Sequence, residues 1–210
     1  MKGYTTGIDL IDHGFRGLKD GKLYCVCSSH YSECTDLISR AVVGLATNDI
    51  SVVLFSIEKD RRTMFQNLLD IYCGLEEVEN KYDDIERRYL ILYEMGKLPL
   101  WIEGNAGLSY NSISDTIHRI CLLNKHAIDS IFVDNIAKMN TDFIVLSSED
   151  KINANLYLLK MVAKSLKIPI VGFCAEEDMP LHDLIERNEY VDKILKLKQK
   201  EIVIPSHINV

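Results

Sequence analysis

Two groups of residues in this 210-residue chain have the types and spacing to do chemistry. The first joins the hydroxyl-rich run Ser28-Ser29-His30-Tyr31-Ser32-Glu33-Cys34-Thr35 with Glu58, which follows SVVLFSI, and Asp134, which ends SIFVD. A carboxylate just beyond an apolar strand is how nucleotide hydrolases hold magnesium-bound water. The same placement also suits an aspartate that caps the turn after its strand. The second group is made of soft ligands. Cys25 and Cys27 alternate along one predicted strand and so share a face, Cys174 ends another, and His30 and Cys34 lie in the adjacent loop. Their spacing, C-x-C…H-x3-C, matches no common zinc pattern, and buried thiols behave as small apolar side chains. Cys34 near a helix start, with His30 as base, has the outline of a nucleophile. Glu33 beside it opposes thiolate formation.

Both groups depend on the elements that carry them. Short apolar runs alternate with stretches of helical period. The runs are Lys22–Ser28, Ser51–Ile57, Leu98–Ile102, Ser130–Asp134, Ile168–Cys174, Lys193–Leu197 and Glu201–Ile204. Nearly continuous apolarity over such lengths predicts strands buried on both faces, as in a parallel sheet covered by helices. Thr35–Leu45, Arg61–Ile71, Asn111–Asn124 and Ile152–Leu166 place apolar residues at steps of three and four, which predicts amphipathic helices. Strand–helix alternation implies a doubly wound α/β sheet, whose ligands bind beyond the carboxyl ends of the strands. The polar residues there are Ser28–Thr35, Glu58, Asp134 and Ala175–Glu177. Glu76–Tyr89 is strongly charged and predicts a solvated helical excursion, and Thr141–Asp150 a surface loop. Lys160, Lys164 and Lys167 follow one another on a helix and predict a solvated face, and Trp101 reads as core.

Composition narrows the classes. Apolar residues make up 47% of the chain, enough for a sizeable core, and no apolar run reaches the ~20 residues that span a bilayer. The start, MKGYTT, lacks the layout of a signal peptide, so the expected compartment is the cytoplasm, with six reduced, buried cysteines. The 24 Lys+Arg against 31 Asp+Glu leave a net charge of −7. Tight autonomous DNA binding runs on basic excess, so it is disfavoured here.

The order of motifs resembles the ATPase domain of the DnaB family of hexameric replicative helicases. TTGIDLIDHGFRGLKDGKLYCV (Thr5–Val26) looks like that family's lead-in to its first core strand. VVLFSIE (Val52–Glu58) is similar to the strand that ends in the catalytic glutamate, and IFVDN (Ile131–Asn135) to the Walker B strand. LWIEGNAGLSYNSI (Leu100–Ile113), LLKMVAKSLKIPIVGF (Leu158–Phe173) and DLIERN (Asp183–Asn188) follow in the family's order. The resemblance implies one RecA-like domain over residues 1–210, with a mostly parallel sheet and a short C-terminal β segment. It also implies subunit interfaces of the kind that build rings, in a homo-oligomer or with a helicase. The family's N-terminal collar domain has no counterpart in the sequence.

The departures concern phosphate. The family's loop, GxxxxGK[ST], cradles phosphate on backbone amides beside a lysine. In this sequence Glu33 stands at the glycine, Cys34 at the lysine, and only Thr35 keeps the magnesium-binding hydroxyl. A carboxylate ~4 Å from a phosphate charge is repelled by roughly 1 kcal/mol in water and by more near a protein surface. The family's sensor glutamine falls on Ala175, and the arginine finger aligns with Lys200, which lacks the bidentate fork of arginine. The expectation is therefore a pseudo-ATPase with no bound cofactor. Glu58 and Asp134 are the remaining catalytic-type acids. ATP and magnesium would sit on Ser28–Thr35, with Thr35 and Asp134 as metal-side groups, if the loop still worked; an active ATPase with an atypical loop is the alternative.

Overall fold

The computed structural model describes residues 3–28, 30–75, 84–104, 108–123, 127–141, 147–175, 185, 188–198 and 201–203. A short antiparallel pair, β1 (Gly3–Tyr4) and β2 (Leu18–Lys19), brackets helix α1 (Asp9–Phe15) at the start of the chain. The main strands follow: β3 (Leu23–Ser28), β4 (Val52–Ser56), β5 (Leu100–Gly104), β6 (Ser130–Val133), β7 (Ile170–Ala175), β8 (Lys193–Lys198) and β9 (Glu201–Val203). These seven form one sheet in the order β5-β4-β6-β7-β3-β8-β9. All neighbours pair in parallel except β8 and β9, which form the expected antiparallel C-terminal segment.

Strand alternation sorts the core into two layers. Leu23, Cys25 and Cys27 of β3 face a layer filled by α5 (Tyr110–Leu123) and α6 (Ser148–Leu166). Tyr24 and Val26 face the other, under α1, α2 (Tyr31–Ala46), α3 (Arg61–Leu75) and α4 (Asp84–Met95). Every residue of β3, β4, β6 and β7 is buried, as strands covered on both faces must be.

The Thr-Gly lead-in has a physical role. Asp12 accepts hydrogen bonds from Thr6 N–H (2.7 Å), Thr6 Oγ1 (2.9 Å) and Gly7 N–H (3.0 Å), which folds the segment onto the start of α1. Gly7 takes a left-handed conformation (φ 76°) that disfavours a side chain. The Thr6 carbonyl then presses on α2 at Gly44, where a Cβ would lie 2.3 Å from that oxygen.

Three expectations change, and a fourth is seen in part. Helix α2 starts at Tyr31 rather than Thr35, with consequences for the site. Helix α6 starts at Ser148, capped by the Ser147 hydroxyl, which accepts from Asp150 N–H, so the end of the expected Thr141–Asp150 loop is helical; residues 142–146 lie outside the described residues. The charged excursion Glu76–Tyr89 is only partly seen, because residues 76–83 lie outside the described residues. Its described part, residues 84–89, is helical as expected, with Tyr89 exposed. Lys160 does not lie on a solvated face: it is 7% exposed and donates to the Asp192 carboxylate and to the Gly21 carbonyl (3.1 Å). Of the cysteines, Cys121 is exposed and Cys73 partly so, whereas Cys25, Cys27, Cys34 and Cys174 are buried free thiols. Among the described residues, no helix is long and apolar enough to cross a membrane.

Candidate functional site

The carboxyl ends of β3, β4 and β6 converge on one polar cluster. β3 ends at Ser28 and α2 begins at Tyr31, after His30 in an extended conformation (φ −133°, ψ 129°). The amides of Glu33 and Cys34 both donate to the His30 carbonyl (3.2 and 3.5 Å), and His30 N–H donates to Ser28 Oγ (3.2 Å). The Ser28 hydroxyl in turn donates to the Glu33 carboxylate. Residues 31–35 are thus wound into the first turn of a helix, with the Glu33 and Cys34 amides engaged by protein. The helix begins before the positions aligned with the Gly-Lys of a phosphate loop. Ser32 lies in this first turn and Ser29 lies outside the described residues.

Asp134, 1% exposed, sits at the centre. Its Oδ1 accepts from Ile57 N–H (2.7 Å), and its Oδ2 from the Tyr31 phenol (3.0 Å) and Glu58 N–H (3.3 Å). Ser56 Oγ lies 3.0 Å from Oδ2 and 2.7 Å from the Lys59 carbonyl, and its single proton serves one of them at a time. Burial raises the Asp134 pKa, and the donors from Ile57, Tyr31, Ser56 and Glu58 offset part of that rise. The Tyr31 phenol is raised by its own burial and then by the Asp134 charge, so it stays a neutral donor. Because β7 separates β3 from β6, Tyr31 ties together two strands that are not neighbours. The turn after β6 is capped by Asn135, whose side chain accepts from Ala137 N–H (3.1 Å); Asp134 points back to β4 instead. The capping alternative for Asp134 is therefore corrected.

The Glu58 side chain makes contacts of its own. Its carboxylate pairs with Lys138 Nζ (2.7 Å) and accepts from Asn135 Nδ2 (3.4 Å), with its side chain 24% exposed. Thr35 is 6% exposed, and its hydroxyl donates to the Tyr31 carbonyl (3.2 Å) within the helix. The Cys34 thiol lies 3.6 Å from the Cys174 carbonyl oxygen, and burial pushes its pKa up to about 12, which suits packing rather than nucleophilic attack. Ala175 ends β7 opposite Ser28 and is buried. Cys27 and Cys174 stand opposite each other in register, and the Cys25 thiol is raised by burial. Among the described residues no group of three His, Cys, Asp or Glu could hold a metal ion. Lys200, Glu176 and Glu177 lie outside the described residues.

The structure thus brings Ser28, Tyr31, Glu33, Glu58 and Asp134 to one place. Sequence reasoning assigns no part to Ser56, Asn135 or Lys138 and no special part to Tyr31. Only the register of β4 against β6 brings Ser56 and Asp134 together. Lys138, four residues after Asp134, carries a weak signal, since a short turn there returns it to the same crevice.

The comparisons with known proteins bear on this arrangement. A solved structure described as a DnaB-like replicative helicase and its interactions with primase matches with a TM-score of 0.77 at 17% identity, over 95% of this chain and 54% of that one. The chain therefore spans about half the length of that helicase. A second solved structure, described as an ATPase domain, matches with a TM-score of 0.79 at 17% identity, over 99% of this chain and 84% of that one. At such identity the likeness is one of fold, a RecA-like one. No curated protein matches the chain significantly. A sequence profile of the DnaB-like helicase C terminal domain matches residues 3–175, which takes in β1 through β7 and both acids of the site. On that match, which covers most of the sequence, the chain belongs to the DnaB-like helicase C-terminal domain family.

Proposed function

We propose that this chain is a replicative-helicase-related module that works by binding rather than by hydrolysing ATP, with residues 1–210 forming one RecA-like unit. One observation carries the reading: Tyr31, in the first turn of α2, places its phenol on Asp134 Oδ2 at 3.0 Å. The family's ATPase domains use ATP and magnesium. The residues here fit that pair poorly. A phosphate needs free amides and a cation, and here the Glu33 and Cys34 amides are already engaged by the His30 carbonyl, with the Glu33 carboxylate beside them. A magnesium ion needs an accessible carboxylate and hydroxyl, whereas Asp134 is enclosed by protein donors and Thr35 is bonded within its helix. No step of phosphoryl transfer is assigned to Glu58, which pairs with Lys138.

The partner on this reading is a helicase subunit, met through the RecA-type interface, with autonomous DNA binding weak because of the −7 charge. A replicative helicase that fails to co-elute with the chain would remove that part. The decisive test is titration with ATP and magnesium, following heat and melting temperature together. The expected result is no saturable heat and an unchanged melting temperature at roughly millimolar ATP. Micromolar affinity with clear stabilisation would overturn the proposal. The retained Glu58 and Asp134 favour one second reading, an ATPase in which Tyr31 swings off Asp134. Magnesium-dependent turnover abolished by Glu58→Gln would establish it.

A further inference from the structure

β5 is the last strand of the sheet on its side: it pairs with β4 and with no other strand among the described residues. An unpaired edge presents a row of backbone donors and acceptors that can template a further strand. Both faces of this strand also open into cavities along that edge. On one face Leu100 and Ile102 line a groove of about 490 Å³ with Phe65, Met95, Arg61 and Arg62. Beside it, Trp101 and Glu103 line a groove of about 280 Å³ with Thr116 and Arg119, and Arg61 and Ile102 border both grooves. Successive side chains of an added strand would point alternately to the two sides of the sheet, so that a single segment could reach both grooves.

Charge selects among occupants. Arg61 and Arg119, with side chains 63% and 60% exposed, both reach toward the single Glu103 carboxylate, at 3.5 and 3.2 Å. With Arg62 also lining the larger groove, this edge is locally basic on a chain of net charge −7. A second copy pairing edge to edge would bring like arginines together, which opposes self-association.

We propose that the outer edge of β5 accepts an extended segment of a partner protein as an added strand. Its apolar side chain enters the Leu100–Ile102 groove and its acidic side chains meet Arg61 and Arg62. Main-chain pairing supplies much of the affinity in this mode, and the alternating pockets supply the choice of sequence. The edge lies outside the Tyr31–Asp134 cluster, so the proposal stands apart from the one on ATP.

Trp101 is the chain's only tryptophan and lines the smaller groove, so it reports on the edge without a label. The probe is a blocked, tryptophan-free peptide in which aspartate alternates with valine and phenylalanine. The expected result is a saturable shift in Trp101 emission. Binding should weaken roughly tenfold in an Arg61→Glu/Arg62→Glu variant whose melting curve matches the parent chain. It should weaken by a similar factor when alternate amides of the peptide are N-methylated, a change that leaves the protein untouched. No saturable shift, or an N-methylated peptide that binds as well as its parent, overturns the proposal. A dimer that shifts Trp101 emission and excludes the peptide would assign the edge to a second copy and overturn it equally.

Discussion

Two aspartates at opposite ends of the strands, one half-buried and one buried, hold their charges in opposite ways. Asp192, just before β8, accepts from Lys22 Nζ (2.9 Å), from Lys160 Nζ and from Leu23 N–H (2.8 Å). Asp134, just after β6, accepts among the described residues only from neutral groups, the Tyr31 phenol, the Ser56 hydroxyl and the amides of Ile57 and Glu58. Burial pushes the pKa of both upward. At Asp192 the bonds from Lys160, Leu23 and Lys22 outweigh burial and hold it below the usual carboxylate range. At Asp134 the neutral donors do not, and its pKa stays raised. The lesson is that a structural carboxylate here comes with its cations built in. The one at the carboxyl ends of the strands, where open α/β sheets bind their ligands, is enclosed by neutral hydroxyls and amides of the protein instead.

Removing the carboxylates should separate the two most strongly. Asp192→Ala leaves Lys160, 7% exposed, without its counter-charge, and should cost roughly 3 kcal/mol in urea unfolding. Asp134→Ala leaves uncharged donors unsatisfied and should cost less, roughly 2 kcal/mol. A reversed order would break the comparison. The pH dependence sharpens it further, because the two contributions have opposite sign. Asp192, with its folded pKa depressed, stabilises above the ordinary carboxylate value and loses that stabilisation as pH falls through its folded pKa. Asp134, with its folded pKa raised, binds its proton more readily in the folded state. Its contribution therefore falls as pH rises from the ordinary value through its folded pKa. Asp192→Asn should flatten the loss of stability below about pH 4, and Asp134→Asn should remove a slope of the other sign above it. Unfolding curves measured across that range that show the same sign for both would contradict the account. The smallest effect belongs to Tyr31→Phe, which keeps the ring and deletes one donor: about 1 kcal/mol. It should also raise the Asp134 titration further, read from the carboxyl resonance, and an unmoved resonance would mean that the phenol does not hold this carboxylate.

Much of the fold is legible in the sequence because it rests on local patterns. The core strands announce themselves as short apolar runs, since a strand covered on both faces tolerates little else, and Cys25 and Cys27 share a layer as alternation requires. Periodicity misplaces the start of α2 for a physical reason. Its first turn, Tyr31-Ser32-Glu33-Cys34, carries no apolar stripe, and Ser28 with Glu33 closes it by a side-chain bond that periodicity cannot register. Lys160 misleads because lysine on a helix is ordinarily solvated; its counter-charge, Asp192, lies 32 positions along the chain, and the two meet because α6 packs against β3, which pairs with β8.

Residue type and spacing along single segments settle the alternation of strands and helices, the positions of Glu58 and Asp134 beyond their strands, and the absence of a GxxxxGK[ST] string from the sequence. What those residues touch is settled by the packed fold alone. Tyr31 meets Asp134 across 103 positions of chain, Ile57 N–H meets it across 77, and Arg119 reaches Glu103 from the next helix. Such contacts depend on which strands lie side by side and in what register, and that is set by burial of the whole core rather than by any one segment.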